Sequence, residues 1–329
     1  MSSSPSSAGT VLVTGGAGFI GSHLVDGLLA RGYSVRVLDD FSTGSAENLA
    51  HVDDRIELIR GSILDAEAVR RAVAGCVGVL HEAAIASVAR SVDDPVGVNQ
   101  VNVGGTIGVL TAARDAGVRH FVYAASAAAY GNSTRLPLQE GELPDPLSPY
   151  AVTKLAGEQY CRVFHRLFGM QTVALRYFNV FGPRQSLASR YASVIPAFVT
   201  AALSGEPIPL EGDGTQSRDF VYVGDVVRAN LLALETPSAG GEILNIGEGR
   251  RTDLNLLIRR LGELSGREPR VERGPARPGD ITHSVADVSR AAQVLGYRPE
   301  TGFAEGLRQT VEWFRQQLET GSVGRRSGE

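Results

Sequence analysis

The chain has 329 residues, of which 43% are hydrophobic and 21% are charged, and this is enough for one large globular domain or two smaller ones. Its formal net charge of −4 shows no basic excess that would attract nucleic acid. The two cysteines, Cys76 and Cys161, are far apart and belong to no CxxC motif or histidine cluster, so neither a disulfide framework nor a metal site is predicted. These properties favour the reducing cytoplasm as the location.

The two ends of the chain are predicted to be unstructured. Residues 1–9 are rich in serine and lack the cationic start and apolar run of a signal peptide, while residues 319–329 are rich in Gly, Ser and Arg. No stretch approaches about 18 consecutive apolar residues, so no membrane span is predicted.

An apolar run at residues 10–13 leads into a glycine-rich turn and then a helix. Glycines at 15, 18 and 21 permit a tight turn, a close approach of the backbone to a pyrophosphate, and tight packing of the helix on the strand. A second strand, residues 34–38, ends at Asp39, whose carboxylate can bind both ribose hydroxyls of an adenosine and would repel a 2′-phosphate. This unit predicts a site for NAD in preference to NADP.

Strands and helices continue to alternate along the chain. Apolar runs predict further strands at residues 56–59, 77–81, 120–125 and 172–176, and helices at about residues 66–73, 98–116, 254–264, 289–295 and 303–318. The rhythm indicates an α/β protein with a Rossmann-like, doubly wound parallel sheet and a ligand at the carboxyl ends of its strands. After residue 176 arginine-bearing loops appear, which suit a nucleotide diphosphate and predict a smaller C-terminal α/β lobe that binds substrate.

Residues 148–154 carry the strongest candidate for chemistry. Pro149 can open a helix on which Tyr150 and Lys154, four residues apart, share one face. A nearby ammonium favours the ionised phenol, so Lys154 is expected to draw the pKa of Tyr150 down toward working pH and make it a general base. The pattern alone also fits an ordinary amphipathic helix turn. Ser126, at the carboxyl end of the predicted fifth strand, could bond a sugar oxygen and the Tyr150 oxygen together.

Six motifs together resemble those of the extended short-chain dehydrogenase/reductases, and within them the NAD-dependent UDP-sugar 4-epimerases. The motifs are residues 14–21, Asp39 with Asp40, Ser126 with Tyr130 and Gly131, Tyr150 with Lys154, residues 176–179, and residues 218–220. They lie within about residues 10 to 315, so the resemblance covers nearly the whole chain.

The resemblance implies a set of site residues and a division of the chain. Ser126, Tyr150 and Lys154 would be catalytic. The implied NAD site consists of Gly15, Gly18, Phe19, Ile20, Gly21, Asp39, Asp40, Ser42, Gly44, Ser62, Ile63, Ala83, Ala84, Asn102, Tyr150, Lys154 and Tyr177. The implied UDP-sugar site consists of Ser87, Arg90, Ser126, Asn179, Arg184, Gln185, Val194, Ile208, Pro209, Leu210, Arg218, Arg277, Asp280 and Ser284. Residues 10–176 would form the NAD-binding domain, and residues 177–318 would mainly form the UDP-sugar lobe, interleaved with the sheet.

In the implied reaction, the Tyr150 phenolate takes the proton from the hydroxyl on carbon 4 of the sugar while the hydride on that carbon moves to NAD. A 4-keto sugar results, and return of the hydride to the opposite face gives the epimer. Ser126 would steady the keto oxygen, and Lys154 would also bond the nicotinamide ribose. A dehydratase commonly has an Asp-Glu pair beside the serine, where this chain has alanines at 127–129.

Other activities of the superfamily stay open at this stage. A UDP-glucuronate 4-epimerase or decarboxylase is possible because Arg90 or Arg184 could meet a substrate carboxylate. A non-catalytic NAD-binding sensor is the alternative from another class. Ser284 stands where the resemblance places a gatekeeper, and a small residue there would leave room for an N-acetylated sugar.

The resemblance also implies a homodimer. Its interface would pair the helices at about residues 98–116 and 150–168 across a two-fold axis. Both helices carry apolar residues at helical spacing, namely Val103, Ile107, Leu110, Leu155, Val163 and Leu167. These residues could equally belong to the core of a single chain.

Overall fold

The protein is described by a computed structural model that covers residues 9–186, 193–275 and 282–320. Within these ranges the strands are β1 (Thr10–Thr14), β2 (Ser34–Asp39), β3 (Ile56–Arg60), β4 (Cys76–His81), β5 (His120–Ser126), β6 (Gln171–Tyr177), β7 (Asn179–Phe181), β8 (Ile208–Glu211), β9 (Ser217–Arg218), β10 (Phe220–Tyr222), β11 (Ile243–Ile246), β12 (Thr252–Asp253) and β13 (Val271–Gly274).

The α-helices of the same ranges are α1 (Phe19–Ala30), α2 (Ala66–Val73), α3 (Val88–Asp93), α4 (Pro95–Asn99), α5 (Thr106–Asp115), α6 (Pro149–Phe168), α7 (Val194–Ser204), α8 (Val223–Glu235), α9 (Leu254–Ser265), α10 (Ser289–Leu295) and α11 (Phe303–Glu319). The predicted helix at residues 98–116 is interrupted, because a π-helical segment, Gln100–Gly105, joins α4 to α5. In the described ranges no helix is both long and apolar enough to span a bilayer.

Seven parallel strands form the central sheet, in the order β3-β2-β1-β4-β5-β6-β11. The direction in which strands are added reverses between β1 and β4. In doubly wound sheets, a reversal of this kind opens a crevice for ligand outside the carboxyl ends of the strands. The predicted α/β fold with a doubly wound parallel sheet is confirmed.

Both faces of the sheet are covered by helices, as a parallel sheet requires. Successive residues of β1 point to opposite faces, so Val11 and Val13 pack with helices α1 and α8 while Leu12 packs with α2, α5 and α6. The buried Leu24 of α1 and Val109 of α5 show the two covers on opposite sides. The centre of the sheet, where β1, β4 and β5 present their carboxyl ends, is therefore buried on both faces.

A smaller lobe stands beside the carboxyl edge of the sheet and has a core of its own. Its helices α7, α9 and α11 contribute Phe198, Leu257 and Phe314 to that core, together with Phe181 from β7. Its strands pair two by two, β7 with β10, β9 with β12, and β8 with β13. Between segments of this lobe the chain returns to the sheet, first through α8 and β11 and later through α10.

Candidate cofactor and substrate site

A single cleft runs between the carboxyl edge of the sheet and the smaller lobe, and most predicted site residues of the described ranges line it. They are Gly15, Gly18, Phe19, Ile20, Gly21, Asp39, Asp40, Ser42, Ser62, Ile63, Ala83, Ala84, Arg90, Ser126, Tyr150, Lys154, Tyr177, Asn179, Arg184, Gln185, Val194, Pro209 and Arg218. Residues predicted for cofactor and for substrate are thus brought together in one continuous space.

Two predicted cofactor residues take other positions. The Asn102 side chain, which is 1% exposed, accepts the Ile85 N–H at 2.8 Å and donates to Thr153 Oγ1 at 3.1 Å, so its amide holds the loop after β4 against α6. Gly44 lies under the glycine turn, where a Cβ atom would come within 2.9 Å of Ala17. Both residues shape the wall of the cleft from behind.

Four predicted substrate residues are not among those that line the cleft. The side chains of Ile208 and Leu210 are buried in the core of the smaller lobe, which leaves Pro209 between them facing the cleft. Ser87 caps helix α3 by accepting the Arg90 N–H at 3.1 Å. Ser284 is 8% exposed, and its N–H donates to the Ser217 carbonyl oxygen. Arg277 and Asp280 lie outside the described residues.

The glycine turn fits the pyrophosphate of a dinucleotide. Gly15 has a φ of +69°, and a Cβ atom there would lie 2.8 Å from the Ala83 nitrogen. A Cβ atom on Gly21 would lie 2.1 Å from the Gly15 carbonyl oxygen, so glycine is needed for α1 to pack this close to β1. Helix α1 begins after Gly18 without a side-chain cap, and its first N–H groups are therefore available to an anion.

Asp39 ends β2 with a carboxylate that the backbone holds in place. Its two oxygens accept the N–H groups of Ala17 and Phe41, each at 2.8 Å. Burial raises the pKa of this carboxyl, while the two backbone hydrogen bonds oppose the rise. The remaining lone pairs face the cleft, where they suit the two hydroxyls of a ribose.

Two serine caps set the start of α6, the helix that carries the candidate base. Ser148 accepts the Ala151 N–H at 3.2 Å, and Ser91, from α3, accepts the Tyr150 N–H at 3.0 Å. Pro149 occupies the first turn, as predicted from the sequence. The first turn of α6 is therefore fixed by contacts within the helix and from α3.

Lys154 is buried at the carboxyl edge of the sheet. Its ammonium donates to the Ala124 carbonyl oxygen at 2.7 Å and lies 5.2 Å from the centre of the Tyr123 ring. Burial lowers the pKa of Lys154 to about 8, although the carboxylates of Glu82 and Glu158 oppose this. A lysine held in this way still carries its positive charge at neutral pH.

The pKa of Tyr150 is raised, which corrects the expectation that Lys154 draws it down. Burial is the largest cause, a hydrogen bond with Ser126 lowers the pKa, and the charge of Glu82 raises it. The physical reason is desolvation. A phenolate in this cleft loses its hydration, and the hydrogen bond with Ser126 compensates for only part of that loss. To lower the pKa of Tyr150 toward neutral pH, a further positive charge would have to enter the cleft.

The arginines predicted for the substrate have different surroundings. Arg184, with a φ of +63°, forms an ion pair with Asp26 of α1 at 2.8 Å, and its guanidinium also approaches His51. Arg218 donates to the Ser217 and Thr282 carbonyl oxygens while lining the cleft. Arg90 is exposed on α3 at the cleft wall. Arg90 and Arg218 are thus presented by the two opposing sides of the cleft.

Two residues of the site were missed by sequence reasoning. Ser91 belongs to no motif, and its contact with Tyr150 crosses 59 residues of chain. Glu82 lines the cleft directly after β4, and burial raises its pKa to about 7. The position of Glu82 at the carboxyl end of a central strand was a usable signal, because ligand-binding side chains of parallel sheets gather there.

Comparison with known proteins places the chain in a family. Residues 11–247 match the model of the NAD dependent epimerase/dehydratase family, and the chain belongs to that family. The UDP-glucose 4-epimerase of Thermotoga maritima, solved with UDP-glucose, is 41% identical with a TM-score of 0.89, over 94% of this chain and 99% of that one.

Two further solved structures are similar over almost their whole length. The UDP-N-acetylglucosamine 4-epimerase of Methanobrevibacter ruminantium, in complex with UDP-N-acetylmuramic acid, is 39% identical with a TM-score of 0.90, over 94% of this chain and 99% of that one. The UDP-glucose 4-epimerase of Thermus thermophilus, in complex with NAD, is 41% identical with a TM-score of 0.85, over 93% of this chain and 99% of that one. The resemblance drawn from the motifs and the prediction of NAD as cofactor are confirmed.

Proposed function

We propose that the protein is a UDP-sugar 4-epimerase that acts by transient oxidation at carbon 4 of the sugar. The observation that carries the proposal is the wall formed by Ser126, Tyr150 and Lys154, which faces the arginine-bearing smaller lobe across one cleft. A base that removes a hydroxyl proton and a cofactor that accepts a hydride are both required at the same carbon, and this wall stands beside the glycine turn that fits NAD.

The residues present account for each part of the chemistry. When bound at the glycine turn, NAD would supply the hydride acceptor, and then the hydride donor, at carbon 4 of the sugar. Tyr150 takes the proton of the carbon 4 hydroxyl and gives it back, and Ser126 donates a hydrogen bond to the keto oxygen that forms between the two steps. Lys154 supplies a fixed positive charge one helical turn from the phenol. Arg218 on the opposing lobe holds the nucleotide diphosphate while the sugar ring turns over.

The test is a panel of UDP-sugars with products resolved by NMR. UDP-glucose, UDP-N-acetylglucosamine and UDP-glucuronate are each incubated with the purified protein, and inversion at carbon 4 is expected for at least one of the first two. The Ser126→Ala variant serves as the control, since it keeps the cleft and removes the hydroxyl. A protein that holds NAD but inverts none of the three sugars would rule out the proposed activity.

The exposed guanidinium of Arg90 supports a uronate as a second candidate substrate. It lines the cleft and is exposed, whereas Arg184 is engaged with Asp26 of α1. A guanidinium in this position suits a substrate carboxylate. In the same panel, turnover of UDP-glucuronate that is lost in Arg90→Ala, with UDP-glucose turnover kept, supports this candidate.

We also propose that the protein acts as a homodimer in the cytoplasm. Helix α6 exposes Val163 and Leu167, which are 43% and 70% exposed, and α4 exposes Val96 at 77%. Apolar side chains on neighbouring helices suit a two-fold helical interface. Leu110, predicted for the same interface, is instead 0% exposed within the core of the sheet. The buried free thiols Cys76 and Cys161 suit a reducing compartment.

A further inference from the structure

Glu82 is a cleft residue that none of the proposed steps uses. Its N–H donates to the Thr14 carbonyl oxygen at 3.2 Å, and the following N–H, of Ala83, donates to Thr14 Oγ1 at 3.3 Å. The backbone at the end of β4 is therefore fixed to the end of β1. The Glu82 side chain leaves this fixed point into the cleft, between the glycine turn and the wall that carries Tyr150.

A chain of hydrogen bonds directs a proton at the Glu82 carboxylate. Asn230 Nδ2 donates to the Val226 carbonyl oxygen at 2.8 Å, and because that oxygen can only accept, the orientation of the amide is fixed. The second hydrogen of Nδ2 goes to the Tyr177 hydroxyl oxygen at 2.7 Å. Tyr177 must then direct its own proton to Glu82 Oε1, at 2.8 Å. This arrangement supports the ionised form of Glu82.

The second oxygen of this carboxylate, Oε2, accepts no hydrogen bond within the described part of the chain. The titratable and charged groups around Glu82 are Tyr123 of β5, Tyr177 of β6, and Tyr150 and Lys154 of α6. Its negative charge raises the pKa of Tyr150, so it works against the proposed base. A half-buried carboxylate that raises the pKa of the proposed base indicates that its negative charge has a different partner.

The two forms of NAD differ in the charge of the nicotinamide ring, which is positive when oxidised and neutral when reduced. In the proposed mechanism this ring would lie beside Tyr150, because the hydride would leave the carbon whose hydroxyl Tyr150 deprotonates. We infer that Glu82 determines the redox preference of the site, since its carboxylate favours the oxidised cofactor over the reduced one. The inference rests on the proposed mechanism, which sets the position of the ring, and is independent of which sugar is turned over.

The test is the reduction potential of bound NAD in the holoenzyme without sugar, measured at pH 8 by titration with a redox dye and followed by the absorbance of the reduced cofactor. Glu82→Gln keeps the size of the side chain and its hydrogen bond from Tyr177 but removes the charge. The potential should rise by about 30 mV or more, which is a tenfold loss of preference for the oxidised form. Glu263→Gln, which removes an exposed carboxylate on α9, should leave the potential unchanged.

The dependence on pH distinguishes a charge effect from a structural one. Glu82 is ionised above a pKa of about 7, so the difference between wild type and Glu82→Gln should be largest at pH 8 and shrink toward pH 6.5. Lys154 titrates in both proteins, and because Glu82 raises the pKa of Lys154, the comparison at each pH measures the carboxylate together with its effect on the lysine. Glu82→Asp, which keeps the charge, should stay closer to the wild-type potential than Glu82→Gln does.

Equal potentials for wild type and Glu82→Gln at pH 8 would overturn the inference, whatever activity the sugar panel reveals. Should Glu82→Gln not fold, the wild-type protein still provides a measurement that can contradict the inference. Its bound potential, taken relative to that of free NAD at the same pH, must become more negative as the pH rises through 7. A constant difference between bound and free cofactor contradicts the role of Glu82.

Discussion

The ammonium of Lys154 donates a hydrogen bond of 2.7 Å to the carbonyl oxygen of Ala124, and this contact fastens α6 to the carboxyl end of β5. Ser126 lies two residues further along β5, and Tyr150 lies one helical turn before Lys154. The contact therefore brings the phenol and the serine hydroxyl to the same wall. One N–H group of the ammonium is used in this contact with the backbone, which limits how directly the lysine acts on the phenol.

Replacement of Tyr150 by phenylalanine should lower turnover of the UDP-sugar by a factor of about one hundred to ten thousand, because it removes the proton acceptor. NAD binding should be kept, since the glycine turn is unchanged. Tyr160→Phe, on the exposed side of the same helix, is the matched control and should be fully active. Activity is measured by NMR with equal loading of NAD, and a Tyr150→Phe protein with over half of wild-type activity would falsify the proposed mechanism.

The protein should bind NAD at least about tenfold more tightly than NADP, a difference of about 1.4 kcal/mol. The physical reason is the buried carboxylate of Asp39, which accepts ribose hydroxyls and repels a 2′-phosphate. Calorimetry on protein freed of cofactor measures both affinities. Asp39→Asn should lose most of the preference and Asp40→Asn should keep it. An equal loss in both variants would show that the preference does not depend on Asp39.

Glu82→Gln should stabilise the cofactor-free protein at pH 8. Burial raises the pKa of Glu82 from an ordinary 4.5 to about 7, so between these values the folded chain keeps a proton that the unfolded chain releases. The stability contributed by this group therefore falls as the pH rises through that window, and the ionised group remains destabilising above it. Urea unfolding should show a gain of about 1 to 3 kcal/mol at pH 8 that disappears near pH 4.5. A gain that does not change with pH would indicate another cause.

The wild-type protein should be a dimer in light scattering at micromolar concentration. Leu167→Glu should yield monomers, because it places a charge in the proposed apolar interface of α6. The control is Leu143→Glu, which changes an even more exposed leucine, at 91%, on a loop between β5 and α6. Monomeric wild-type protein, or equal behaviour of the two variants, would speak against an interface at α6.

Ser284→Tyr should depress turnover of UDP-N-acetylglucosamine far more than that of UDP-glucose. The family resemblance places a gatekeeper at this position. The small side chain is 8% exposed next to β9, and a tyrosine ring there is expected to extend toward the cleft and take up the volume that a bulky group on carbon 2 of the sugar would need. Retained turnover of UDP-glucose shows that the variant is folded and serves as the internal control. An equal loss for both sugars, or a wild type that ignores the N-acetylated sugar, removes the support for Ser284 as gatekeeper.

Local sequence was sufficient for features that a short stretch of chain determines. The turn at Gly15, the acidic end of β2 at Asp39 and the helix face of Tyr150 and Lys154 each depend on residues within a few positions of one another. Because local hydrogen-bonding geometry and the alternation of side chains determine such stretches, their structure can be predicted without knowledge of the rest of the fold.

Contacts between distant parts of the chain could not be predicted from local sequence. The bond from Tyr177 to Glu82 crosses 95 residues, and that from Asn230 to Tyr177 crosses 53. The raised pKa of Tyr150 has the same origin, because desolvation depends on everything that packs around the phenol. The sequence pattern shows that Lys154 is near Tyr150, but it does not show how much hydration the phenol loses on folding, and this loss raises its pKa.

The interleaving of the two cores affects how the protein can be altered. Moving along the chain, Phe198 belongs to the smaller lobe, Val226 to the sheet, Leu257 to the lobe, Leu295 to the sheet and Phe303 to the lobe again. No single crossover point therefore separates cofactor binding from sugar binding. Recombination between relatives would have to exchange several segments at once, so a change of sugar preference in this architecture is more accessible by point substitution than by exchange of a module.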